Sequence, residues 1–139
     1  AAKKPVSIDN AKVNTGITIV GGLPGTEFII TVRGKYRLVH IPQYESGGGG
    51  GGDLELSWEK ALAASPTVFT TIGGSPVVDT IASSSELIIA CETTEILEVG
   101  DRVRAMWATD SSNVNILVPA SLVGDTIPSV QLYITRTGD

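Results

Sequence analysis

The chain has 139 residues, with 10 basic and 15 acidic side chains, a net charge of −5 and 42% hydrophobic content. That length fits one domain with a core large enough to need no staples, and the acidic balance argues against a phosphate-backbone binder, which needs a basic face. One cysteine excludes an intrachain disulfide, one histidine excludes a metal site built on several imidazoles, and no run of eighteen apolar residues is present to span a membrane.

Val, Ile and Thr occur 14 times each, and such side chains lose rotamer freedom on helices but pack well on pleated sheets. Sixteen glycines and seven prolines cut the chain into short runs, which predicts a sandwich or barrel. The first strands are expected at residues 6–8 and 17–20, separated by Asn14-Thr15-Gly16 and followed by a turn in Gly21-Gly22-Leu23-Pro24-Gly25. A firm strand follows at 28–32 and another at 35–41. In the latter Tyr36, Leu38 and His40 share one face, and Arg37, Val39 and Ile41 the other. Pro42, which cannot donate to a ladder, is expected to end it.

Residues 47–52 are six consecutive glycines, expected to form a flexible loop. No Gly-Lys-Ser/Thr follows, and Asp53 would repel an anion, so the run is not a phosphate cradle. Over 53–64, Leu54, Leu56 and Trp58 alternate as in a strand, while Leu54, Trp58 and Leu62 also fit helical spacing. The expectation is a strand with a helical turn at its end, stopped by Pro66. Strands at 67–72, 77–81, 86–92, 94–99, 102–108, 114–118 and 129–136 complete the set. No internal repeat or linker divides the chain, which reads as a single domain over 1–139. It opens on Ala1-Ala2-Lys3-Lys4 rather than Met, so an upstream segment is expected.

Three pieces in order carry a family resemblance: Phe28-x-Ile30-x-Val32-x-Gly34-x-Tyr36-x-Leu38, then Leu97-x-x-Gly100-Asp101-x-Val103, then Pro128-Ser129-Val130-x-Leu132-x-Ile134. Over about residues 28–136 the chain resembles the tumour-necrosis-factor-like and complement-globular-head jelly roll. The resemblance implies an all-β, two-sheet antiparallel jelly-roll sandwich, with Gly-x-Tyr opening an early strand pair. Gly-Asp would turn the chain into a long central strand, and the closing strand would lie at the centre of the inner sheet. It also implies a homotrimer, with Trp58, Trp107, Tyr133 and Tyr36 as candidates for the threefold interface; each would otherwise be an ordinary core residue. The low charge content of 18% agrees with a sheet surface covered by a partner. Calcium-linked carboxylates and disulfides of the animal complement heads have no counterpart here. The Gly- and Ser/Thr-rich style is closer to microbial and viral versions, which form knobs on phage spikes, fibres and tail needles. The expected setting is then a virion, with a fibrous or coiled-coil stalk upstream and a host cell-surface receptor or glycan as partner.

No motif carries a reaction, so no catalytic residue, cofactor or metal is assigned. His40 reads as a structural histidine in a strand, and no Gly-x-Ser-x-Gly elbow accompanies it. Cys91, after Leu87-Ile88-Ile89-Ala90, reads as a buried structural thiol. Glu92, Glu95 and Glu98 with Asp101 form the densest acidic group, but alternate strand faces keep them from converging on a cation. Arg33 and Arg37, with Lys35 between them, form one basic stripe, and Arg102 and Arg104 another. Meeting near a subunit boundary, the stripes would hold a small carboxylate or acidic sugar; the alternative is intersubunit or intrastrand pairing with the plentiful carboxylates. The alternatives to a trimeric knob are a monomeric carbohydrate-binding or adhesin sandwich and a virion decoration or minor capsid protein.

Overall fold

The structure is a computed structural model that describes residues 3–7, 16–21, 25–117 and 130–139. Among them are twelve strands, with every pairing antiparallel: β1 (Lys4–Pro5), β2 (Ile17–Ile19), β3 (Phe28–Ile30), β4 (Gly34–Ser46), β5 (Gly52–Ala61), β6 (Thr70–Thr71), β7 (Val77–Ile81), β8 (Glu86–Ile88), β9 (Cys91–Leu97), β10 (Arg102–Thr109), β11 (Val114–Ile116) and β12 (Val130–Gly138). A seven-stranded sheet runs β2-β3-β10-β5-β6, with β1 also on β10 and β7 also on β5. The five-stranded sheet is built around β4. One side of β4 takes β9 over residues 34–40 and β8 over 43–45, and the other takes β12 over 35–42 and β11 over 44–46.

The two sheets pack face to face as a sandwich, because alternate residues of each strand are apolar and need a dry face. From the smaller sheet Tyr36, Leu38, Tyr44, Cys91 and Leu97 point inward; from the larger come Leu54, Leu56, Trp58, Val103, Ala105 and Trp107. An ion pair from Lys60 to Glu95 at 3.2 Å joins β5 to β9 across the edge.

Pro42 does not end its strand: β4 continues to Ser46. The Pro42 carbonyl accepts from Ile89 N at 3.4 Å. In a strand the nitrogen and carbonyl of one residue face the same neighbour, so the missing donor points at Ile89-Ala90. Those two residues form the break between β8 and β9. The ladder bond that proline cannot make therefore falls where no strand waits for it. The same defect moves the expected boundary between 86–92 and 94–99 back to Ile89-Ala90, leaving Thr93 inside β9.

Other expectations shift too. The strand expected at 6–8 lies instead at Lys4–Pro5, and Ile8 is outside the described residues. The strand expected at 67–72 shrinks to Thr70–Thr71 because Val68 N turns back onto the Ser65 carbonyl at 3.0 Å. After β5 the chain makes a single turn, Ser65 N to Leu62 O at 2.9 Å. The end of the strand expected at 114–118, the start of that at 129–136, and Pro128-Ser129 lie outside the described residues. Among the described residues the closing strand β12 pairs with β4 alone, at the border of its sheet, with β4 at the centre. The Gly-Asp corner does lead into a central strand, since β10 lies between β3 and β5.

The glycine run carries the chain from β4 in one sheet to β5 in the other. Gly47 N donates to Asn113 O at 3.0 Å, and Ser84 N donates to Gly47 O at 3.2 Å. A side chain on Gly51 would collide with the Ile81 carbonyl and Ala82, and one on Gly49 with Asn113. Gly52 already belongs to β5, opposite Ile81.

Candidate functional site

The four candidate interface rings separate into a buried three and an exposed one. Trp58 and Tyr36 have no exposed surface, and Trp107 is buried as well. The Trp58 indole N–H donates to the Cys91 carbonyl at 3.4 Å. Trp107 packs 5.4 Å from the Tyr44 ring and lies under the Lys4 ammonium. The Tyr36 hydroxyl donates to the Val32 carbonyl at 2.6 Å, with the Gly16 carbonyl 3.2 Å away as a second acceptor. These three rings belong to the core of one chain and present almost no surface to another copy. Tyr133 is different: it is 52% exposed on the outer face of the smaller sheet.

Around Tyr133 the register assembles a strip. Tyr133 lies opposite Val39, which lies opposite Glu92; Gln131 lies opposite Ile41 on the same face. Ile88 continues the strip at one end, opposite Gln43, and Ile96 at the other, opposite Lys35. Ile88 is 65% exposed and Ile96 54%. Sequence reasoning missed both isoleucines. Their faces carry glutamate and threonine as well, so alternation does not tell outside from inside on β8 and β9.

The candidate anion contacts each face a carboxylate within the chain. Arg33 Nε lies 2.8 Å from Glu98, and Arg37 grips Glu92 through two bonds of 2.5 and 3.1 Å. That fork holds the Glu92 carboxyl below the usual carboxylate range and raises the guanidinium of Arg37. Arg102 lies 3.2 Å from Glu27. Arg104 holds the buried Glu59 at 2.8 and 2.9 Å and stacks 3.8 Å over the Phe69 ring. Arg37 stands on the outer face of one sheet, Arg102 and Arg104 on the outer face of the other. Within one chain the two stripes never meet.

The acidic group is likewise dispersed. Glu92 and Glu98 serve the arginines, Glu95 serves Lys60, and Asp101 turns inward to accept backbone N–H groups. Cys91 is buried, its thiol pushed up to about 12 by burial, and donates to the Ser75 carbonyl at 3.1 Å. A thiol so protonated is a poor nucleophile. The described residues thus offer one feature suited to function, the apolar strip centred on Tyr133. In comparisons with known proteins, the sequence matches no protein-family model and no curated protein.

Proposed function

We propose that the chain is a non-enzymatic knob that forms a homotrimer and ends a viral spike, fibre or tail needle, of bacteriophage type. A fibrous or coiled-coil stalk would precede it, and its free surface would touch a host receptor or glycan. The observation that carries the reading is the strip of Tyr133, Ile88 and Ile96 on one outer sheet face, with Val39 and Ile41 beneath. Apolar surface stabilises a contact by roughly 25 cal/mol per Å² removed from water. A face of about 1,000 Å² per subunit would then outweigh the entropy of association. The jelly-roll resemblance adds the threefold geometry and the fibre-tip setting.

A monomeric sugar-binding sandwich would display two or three aromatics for stacking on sugar rings. Here Trp58 and Trp107 are buried, and among the aromatic residues Tyr133 alone has more than half its surface exposed. That distribution favours the knob. Sedimentation of the purified chain is expected to give three times the 14.5 kDa protomer mass. Tyr133→Arg would leave an unpaired charge in the packed interface, costing about 3–5 kcal/mol per site, and is expected to return the 14.5 kDa species. A wild-type monomer at micromolar concentration overturns the trimer, and an unchanged trimer in the variant moves the interface away from Tyr133.

A further inference from the structure

His40 is the only histidine of the chain and is fully buried on the inner face of β4. Its Nε2 lies 3.2 Å from the Ser57 carbonyl oxygen of β5, across the space between the sheets. A carbonyl only accepts, so Nε2 carries the proton and Nδ1 is a bare lone pair. Nδ1 has no partner among the described residues. The ring meets Trp58 edge to face, with centroids 5.2 Å apart and planes at 89°. Trp58 in turn donates to the carbonyl of Cys91, the residue opposite His40 on β9. These contacts form a closed link from β4 to β5 to β9 through the middle of the sandwich.

We infer that His40 is an acid-sensitive clasp between the two sheets. A second proton has only Nδ1 to go to, and there it creates a cation with neither acceptor nor counter-charge. Beside it β9 presents the protonated Cys91 thiol, β12 presents Leu132 and β5 presents Trp58, with Ala105 of β10 opposite Trp58, none of them charged. On its own strand the phenols of Tyr36 and Tyr44 are raised by burial. Charged groups on these inner faces are engaged elsewhere: Glu95 with Lys60 at 3.2 Å, and Arg136 with Asp139 and the Arg33 carbonyl.

Burial lowers the imidazole from its ordinary 6.5 to about 4, opposed by the bond to Ser57. The unfolded chain therefore takes the proton first. The clasp's contribution is complete above pH 6.5 and is lost as the pH falls from there to about 4.

The test is urea unfolding followed by tryptophan fluorescence between pH 7.5 and 4, for the wild type and for His40→Gln. The glutamine amide keeps a donor toward Ser57 and cannot take up a proton, while the carboxylates common to both proteins cancel. Relative to the variant, the wild-type folding constant is expected to fall as the pH drops below 6.5, steepening toward about tenfold per pH unit around pH 5 and reaching about 150-fold at pH 4. Parallel pH profiles overturn the inference. Should His40→Gln fail to fold, imidazole NMR of the wild type decides. The neutral Nε2–H form persisting to pH 5 supports the clasp, and an imidazolium forming at pH 6.5 or above sinks it.

Discussion

Asp101 is 4% exposed and ties the turn after β5 and the residue after β9 to the start of β10, beside β3. Its carboxylate accepts from Glu98 N at 2.9 Å and from Ala63 N at 3.2 Å, while its own carbonyl accepts from Ile30 N at 2.9 Å. Gly100 beside it has φ +92, and a side chain there would strike Ala63, so glycine is needed for both conformation and space. Asp101→Ala removes the acceptor of two part-buried N–H groups and is expected to cost about 1–3 kcal/mol by chemical denaturation. Asp101→Asn keeps one acceptor and should fall between that variant and the wild type. The corner was readable from Gly-Asp before an alternating run. The reach to Ala63 was not, because it joins positions 38 residues apart. For the same reason the partner of the Trp58 indole, the Cys91 carbonyl 33 residues away, could not be read from the sequence. Pattern tells which side chains share a face; only the packed sheets say what stands opposite.

At the scale of the element, the glycine crossover and Pro42 show composition acting through position. Sequence reasoning assigns the six glycines a common role, yet their surroundings differ. Gly51 is crowded by the Ile81 carbonyl, whereas nothing lies within 4 Å of a side chain built on Gly47. Gly51→Ala is therefore expected to destabilise the fold by about 1–3 kcal/mol, as overpacking does, while Gly47→Ala stays within about 0.5 kcal/mol. Paired thermal melts check the difference, and equal melting temperatures would refute it. Pro42 misleads in the opposite direction. The rule that proline closes a strand holds when a neighbour needs its N–H, and here the neighbour is interrupted at Ile89-Ala90. Strand β10, and β4 as far as Ile41, were legible because their alternation is long. Alternation also points to a strand at β5, although helical spacing fits Leu54, Trp58 and Leu62 as well. The two-residue β1 and β6 were placed wrongly or overextended, because so short a run holds no period to read.

For the whole molecule, the order of stability follows from which strands have neighbours on both sides. β10 and β5 are flanked twice in the larger sheet and β4 twice in the smaller, and all three carry buried side chains along most of their length. Amide exchange is expected to be slowest there and faster in β6, β8 and β11, which are two or three residues long. An exchange map with β4 among the fast strands would contradict the architecture.

The pairing of β4 with β12 also bears on how the protein is made. The Thr137 hydroxyl meets the Lys35 carbonyl across 102 positions of chain. As the ribosome delivers the polypeptide from its N-terminus, β4 emerges long before the segment that covers one of its flanks. Until β12 emerges that flank of β4 has no partner strand, and a neighbouring nascent copy meets a bare template there. Contacts this distant also make for slow closure, so chaperone occupancy during synthesis should centre on residues 35–42.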